Sequence, residues 1–129
     1  MQSTFSAIGI VVEDMDRTLA FYRRLGLAVP EGAEGPHVEI PLAGGLRFLI
    51  DTRKEIEKFD PGWSKPQGGP AVSLAFDCGS PDAVDTAFRD LVAAGATAHL
   101  EPWDAFWGQR YATLRDPDGN GIDLFAARS

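Results

Sequence analysis

The sequence predicts an α+β protein built from two copies of one βαβββ module, and three observations lead to this prediction. An apolar run at residues 5–12 is followed by helical spacing, and the same order returns from residue 71 onward. Glycine marks the end of both helical stretches, at Gly26 and Gly95. Each helix is followed by short runs that alternate polar and apolar residues, as β-strands do. We therefore expect two curved, mixed sheets that surround a cleft.

The first module is predicted to span about residues 1–60. After its first strand, Asp14-Met15-Asp16 can cap a helix that continues to Leu25. Gly44-Gly45 then provides the turn of a hairpin. The two strands of that hairpin are predicted at residues 37–40 and 46–52.

The second module is predicted at about residues 70–129, after a linker at about residues 53–69, so the chain forms one domain over residues 1–129. The linker starts charged, which favours a frayed or helical segment, and then turns at Asp60-Pro61-Gly62-Trp63. The helix of the second module begins at Ser80-Pro81-Asp82, with serine as the cap and proline in the first turn. The apolar stripe of that helix comprises Val84, Phe88, Leu91 and Val92. The strands of this module are predicted at residues 71–77, 97–100, 109–115 and 121–126.

The alternation along the strands predicts which side chains line the cleft. Ile122 and Leu124 are apolar neighbours of Asp123, so Asp123 points away from the buried face. In the opening strand of the second module, Val72, Leu74 and Phe76 share one face and small residues share the other. The small faces leave room for a ligand. The turn at residues 116–121 is interpreted as structural, because it is rich in Asp, Gly and Asn.

Bulk properties exclude several classes of function. The net charge is −7 and no basic stripe is present, which argues against a nucleic-acid partner. No apolar run approaches the roughly 20 residues that span a bilayer, so no membrane association is expected. Cys78 is the single cysteine and cannot form an intramolecular disulfide, which fits the cytoplasm.

Two segments resemble a known group of proteins. Glu13-Asp14-Met15-Asp16 followed by residues 20–27 resembles the first module of the vicinal-oxygen-chelate superfamily. Residues 116–124 are similar to the turn and last strand of its second module. The superfamily includes glyoxalase I, extradiol dioxygenases, fosfomycin-resistance transferases and bleomycin-resistance proteins. The resemblance covers about residues 5–126 and implies the fold, but not one reaction.

The resemblance also implies where a metal would bind. The ligand positions of the superfamily's metal enzymes fall on Ala7, on or beside Leu49, on or beside Ala71, and on Asp123. Alanine and leucine offer no lone pair, and one carboxylate is not a metal site. We therefore expect neither a metal nor another cofactor, which places the chain with the bleomycin-resistance-like, non-metal branch.

Other residues do not restore the metal site. A register slip would bring in Asp51, but two acids without an imidazole suit a borderline metal poorly. His37 and His99 are predicted to lie on other strands, as exposed residues at sheet edges.

The leading hypothesis is a protein that sequesters an aromatic antibiotic or related metabolite in its cleft and carries out no catalysis. Aromatic walls with a few polar groups suit a planar ligand. The resemblance to bleomycin-resistance proteins implies a homodimer, possible domain exchange between its chains, and a role in antibiotic resistance. The candidate ligand-binding residues are Arg47, Leu49, Phe59, Trp63, Trp103, Phe106, Trp107, Tyr111 and Asp123.

Alternative interpretations remain for the protein and for single residues. The protein could be a glyoxalase-like lyase or isomerase that uses Asp123, Tyr111 or His37 as acid or base, or a metalloenzyme with shifted ligands. Trp63 could simply pack the linker, and the tryptophans predicted in the second-module loop could pack at a dimer contact. Arg47 could neutralise Asp51 or Asp123, or be a plain surface residue.

Overall fold

The structure is a computed structural model that describes residues 2–128. It has the predicted α+β class, and the chain divides into two compact units between Pro66 and Gln67, within the predicted linker. Each unit holds one mixed sheet, because each combines one parallel strand pair with antiparallel pairs.

The first unit contains fewer strands than the repeat predicts. Its sheet has the strand order β1-β3-β2, with β1 and β3 parallel. After β3, Thr52 caps a short helix by accepting a hydrogen bond from the Glu55 amide at 3.3 Å. The described part of this unit is therefore βαββ followed by a helix. Its elements are β1 (Ala7–Val12), α1 (Met15–Arg24), β2 (His37–Pro41), β3 (Arg47–Thr52) and α2 (Arg53–Glu57).

The predicted helix of the first unit begins and ends for the expected reasons. The Asp14 side chain accepts a hydrogen bond from the Arg17 amide at 3.0 Å, and Gly26 follows the helix with φ of 97°. Helix α1 buries Leu19, Phe21 and Tyr22. The Tyr22 ring lies edge-to-face against Phe48 of β3, with centroids 5.1 Å apart. This contact fixes α1 on the face of the sheet that carries Phe48.

The second unit follows the predicted βαβββ order. Its sheet has the strand order β4-β7-β6-β5, with β4 and β7 parallel and the other pairs antiparallel. Ser80 caps the helix by accepting from the Ala83 amide at 3.2 Å. The predicted direction of Asp123 is confirmed, because Ile122 and Leu124 are fully buried and Asp123 is not. The elements are β4 (Ser73–Asp77), α3 (Pro81–Ala93), β5 (Thr97–Asp104), β6 (Gln109–Arg115) and β7 (Gly121–Ala127).

Three predicted details of the second unit are wrong. Strand β4 begins at Ser73 rather than at residue 71, so Val72 lies before it and is 71% exposed. Val92 is 38% exposed rather than part of the apolar stripe. Strand β5 continues to Asp104, because register shifts after Ala98 and Leu100 allow further pairing with β6. Trp103 therefore lies on a strand and not in a loop.

The turn between β6 and β7 is organised by one buried side chain. Asp116 Oδ1 accepts from the amides of Asp118 and Asn120 at 2.8 and 2.9 Å, and Oδ2 accepts from Asn120 Nδ2 at 2.9 Å. Gly119 takes φ of 91° within this turn. The contacts support the structural interpretation of residues 116–121.

Among residues 2–128, no helix has the length and apolar character needed to cross a membrane.

Candidate functional site

In the second unit, Trp103, Tyr111 and Asp123 lie on the face of the sheet opposite α3, and Phe106 and Trp107 lie in the turn between β5 and β6. Helix α3 packs against β5, β6 and β7, and Ala112 and Leu114 are buried on that side. Because side chains alternate along a strand, Tyr111 and Asp123 project from the opposite side. We call this side the helix-free face of the second sheet. Its register pairs Tyr111 with Phe125 and Thr113 with Asp123.

Four aromatic rings form a cluster on this unit, which we call the aromatic cluster: Trp103, Phe106, Trp107 and Tyr111. Trp107 is central, with ring centroids 5.5 Å from Trp103, 5.0 Å from Phe106 and 5.2 Å from Tyr111. The ring planes cross at 90°, 87° and 75°, respectively. These edge-to-face contacts orient the rings relative to one another.

A tight turn after β5 presents two of these rings to solvent. The Gly108 amide donates to the Ala105 carbonyl at 3.1 Å, and Gly108 has φ of 94°. Phe106 is 91% exposed and Trp107 is 47% exposed, although Trp107 Nε1 donates to Gln109 Oε1 at 2.7 Å. Exposed aromatic groups of this size are typical of binding surfaces.

A polar pair adjoins the aromatic cluster. The Tyr111 hydroxyl donates to Asp123 Oδ2 at 2.6 Å. Burial first, and then the hydrogen bond to Asp123, raise the pKa of Tyr111 to about 12. Tyr111 therefore stays neutral and remains a donor to the carboxylate over the physiological pH range.

The first unit has its own polar network on the side of its sheet that faces away from α1. His37 Nδ1 lies 2.6 Å from Asp51 Oδ1, and His37 Nε2 lies 2.9 Å from Glu39 Oε2. The Glu39 hydrogen bond, followed by the Asp51 hydrogen bond, raises the pKa of His37 above 6.5. Arg47 Nη1 donates to the other oxygen of Glu39 at 2.7 Å. We call these four side chains the His37 network.

The His37 network corrects two predictions. Arg47 does not pair with Asp51 but with Glu39, because Asp51 binds His37 across the hairpin. His37 is exposed on an edge strand as predicted, but it is not remote from the predicted ligand strand, since it is the register partner of Asp51 on β3. Glu39 and Arg47 carry opposite charges on the two strands that flank Gly44-Gly45, and this charge pattern was a signal for their pairing.

The other candidate residues of the first unit have separate surroundings. Leu49 is half-buried on β3, and Phe59 is 74% exposed. The Arg53 guanidinium lies over the Trp63 ring, 5.3 Å from its centroid, and the Trp63 amide donates to Asp60 O at 3.1 Å. These contacts support the interpretation that Trp63 packs the linker.

The positions at which the superfamily binds metal do not fit a metal ion. Ala7 and Leu49 lie on β1 and β3 and carry no ligand atom. Ala71 lies before β4 and carries no ligand atom either. Asp123 is the single carboxylate, and it already accepts the Tyr111 hydroxyl. Within residues 2–128, no group of three or more His, Cys, Asp or Glu side chains could hold a metal ion.

The family of the chain follows from sequence comparison. The Glyoxalase/Bleomycin resistance protein/Dioxygenase superfamily matches residues 4–124. The chain belongs to this superfamily. No curated protein is similar enough to count as a match.

Solved structures share the fold over almost the whole chain. A glyoxalase/bleomycin resistance protein/dioxygenase family enzyme from Burkholderia phytofirmans is 23% identical, with a TM-score of 0.80 and coverage of 97% of this chain and 99% of that one. A protein of unknown function from Agrobacterium tumefaciens is 30% identical, with a TM-score of 0.70 and coverage of 98% and 96%. The fosfomycin resistance protein FosX from Listeria monocytogenes is 20% identical, with a TM-score of 0.69 and coverage of 98% and 93%. Superfamily members thus include resistance proteins and enzymes.

Proposed function

We propose that this superfamily member binds a planar aromatic small molecule, an antibiotic or a related metabolite, without a metal and without converting it. The observation that carries the proposal is the aromatic cluster, whose central Trp107 is 47% exposed and held in place by three neighbouring rings. Rings that are already ordered lose little freedom when a ligand stacks on them. A cytoplasmic role in antibiotic resistance follows from this proposal.

The polar groups support binding better than acid–base catalysis. Both nitrogens of His37 are occupied by carboxylates that favour its protonated form, so the imidazole is a poor general base. Tyr111 has a pKa of about 12 and its hydroxyl donates a hydrogen bond to Asp123, which makes it a poor acid or base near neutral pH. The lyase or isomerase alternative has no comparable support.

The proposed site comprises the aromatic cluster and Asp123. The candidate residues of the first unit are not included in this site. Among them, Arg47 forms an ion pair with Glu39, and Trp63 lies under the guanidinium of Arg53. We further propose that the protein is a homodimer, because both units expose large apolar side chains.

The proposal is tested by calorimetric titration of the purified protein with a panel of planar aromatic antibiotics. For a compound that binds, Trp107→Ala should weaken affinity by about 3- to 10-fold, since one stacked ring is lost. Trp63→Ala, which removes the same residue type from the first unit, is the matched control and should change affinity less.

Two results would contradict the proposal: no compound of the panel binds, or Trp107→Ala retains full affinity. The melting temperature of each variant should be measured alongside, so that a loss of folding is not mistaken for a loss of binding.

A further inference from the structure

The carboxylate of Asp123 is not neutralised by its neighbours. Its hydrogen-bond partner is the Tyr111 hydroxyl at 2.6 Å, a neutral donor. In the described part of the second unit, no cationic side chain lies within ion-pair distance of Asp123. A half-buried carboxylate in this position has no cationic partner of its own, and a bound ligand can supply one.

The cations around the aromatic cluster are engaged elsewhere. Arg110 projects towards α3, where its Nε and Nη2 donate to Asp85 at 2.9 and 3.1 Å. Arg110 Nη1 also donates to Asp104 at 3.2 Å, and Arg128 Nε lies 3.5 Å from the same carboxylate. Arg115 shares the face of Asp123 but lies opposite Gly121, at the end of β6 away from the aromatic cluster.

The aromatic cluster adds a second preference for positive charge. The faces of Trp and Tyr rings carry negative potential and attract cations. Around Trp107 the neighbouring ring planes are turned by 75° to 90°, so faces point in more than one direction. A site with differently oriented ring faces and a carboxylate suits an organic cation better than a neutral ring.

We propose that the aromatic cluster and Asp123 together select a positively charged planar ligand, an aromatic ring system that carries an ammonium or ring-iminium centre. This inference rests on the proposed function and specifies its ligand class. The ring system stacks on the cluster, and the charge lies beside the free oxygen of Asp123, while Tyr111 holds the other oxygen in place.

The test compares two probes that share one ring system, neutral acridine and the permanently charged 10-methylacridinium, by calorimetry at slightly alkaline pH. The wild-type protein should bind 10-methylacridinium about three- to tenfold more tightly than acridine. Asp123→Asn preserves an acceptor for Tyr111 and removes the charge, so this preference should shrink to the part that the rings supply, while the acridine affinity stays. Asp82→Asn, an equal charge change on the exposed start of α3, should keep the preference.

The outcomes separate this inference from the proposed function. If acridine and 10-methylacridinium bind equally well, or if Asp123→Asn keeps the preference undiminished, the charge selection by Asp123 is wrong and the aromatic binding site stands. If neither probe binds, the aromatic site and the charge selection both fail. If Asp123→Asn does not fold, salt decides: added salt should weaken only the binding of 10-methylacridinium, and equal salt responses would overturn the inference.

Discussion

His37 illustrates how the partners of one residue determine its charge. Its two ring nitrogens lie 2.6 Å from Asp51 and 2.9 Å from Glu39. A neutral imidazole has one N–H group, so both carboxylates can accept a hydrogen bond from His37 at the same time only when its ring is protonated. The same contact, together with Arg47, lowers the pKa of Glu39. The charged states of His37 and Glu39 therefore support each other.

These shifts define a pH window for the His37 network. The pKa of His37 is raised in the folded protein, so its contribution to stability is complete below 6.5 and is lost as pH rises through the folded value. The pKa of Glu39 is lowered, so its contribution is present above 4.5 and is lost as pH falls through the folded value. The network contributes most between these two limits. It is exposed, and its effect on stability is accordingly small.

We expect the pKa of His37, measured from imidazole resonances in an NMR titration, to exceed 6.5. Glu39→Gln and Asp51→Asn should each lower it, with the larger effect from Glu39→Gln, since that hydrogen bond is the larger cause. A His99→Gln variant identifies the signal, because the chain has only these two histidines. A His37 pKa at or below 6.5 in the wild type would mean that the imidazole does not bridge the two carboxylates.

The orientation of Asp123, away from the face that Ile122 and Leu124 bury, could be predicted from the sequence because side chains alternate along a strand. Its Tyr111 partner could not, because the bond joins residues on two strands whose register the sequence leaves open. For Arg47 the opposite charge of Glu39 was visible in the sequence, but the register that selects Glu39 over Asp51 was not. Residues close in sequence were predicted better, as with the Asp14 and Ser80 caps.

At the scale of elements, one glycine determines how closely β4 and β7 approach. Gly121 is the register partner of Ser73, and a Cβ atom there would lie 2.5 Å from Ser73 Oγ and 2.9 Å from the Val72 carbonyl oxygen. Both distances are shorter than van der Waals contact allows. The carbonyl belongs to the backbone, so it can move only if the start of the strand moves.

Gly121→Ala should therefore lower the free energy of unfolding by about 1–3 kcal/mol, as expected for overpacking a buried site. Urea denaturation followed by circular dichroism measures this change. The matched control is Gly9→Ala on β1, where the nearest atoms, both of Leu49, would lie 3.9 Å from the new Cβ. That change should leave stability within about 1 kcal/mol of wild type. Equal stability of Gly121→Ala and Gly9→Ala would show that β4 adapts without cost.

Elements with strong local signals were predicted well, and elements defined by pairing were not. Helices α1 and α3 were found from their caps, apolar stripes and terminal glycines. The continuation of β5 to Asp104 depends on bulges in its pairing with β6, which no local pattern encodes. The βαβββ repeat implied a fourth strand in the first unit, but its described part has three, and residues 53–57 form a helix, in line with the frayed or helical segment that their charge had indicated.

At the scale of the whole molecule, the sequence repeat predicted the α+β class, which the structure confirms. The chain divides into two compact units between Pro66 and Gln67. Superfamily membership confirms the resemblance that residues 13–27 and 116–124 indicated. The proposed binding site could not be found from a single motif, because it combines side chains from β5, β6, β7 and the turn between β5 and β6. The expected absence of nucleic-acid binding rests on the charge of −7 and remains a prediction.

Large apolar side chains on the surface lead to the prediction of a homodimer. Phe5 is 68% exposed, Phe59 is 74% exposed and Val72 is 71% exposed. A two-fold contact would bury one copy of such a patch against its equivalent and remove apolar area from water on both chains. Light scattering coupled to size-exclusion chromatography should therefore give twice the mass of one chain. Serine substitutions made one at a time at these three positions should identify the dimer contact, because only a substitution within the contact shifts the protein to a monomer. Such a monomer should also bind the aromatic ligand more weakly. A monomeric wild type at all concentrations would refute the homodimer.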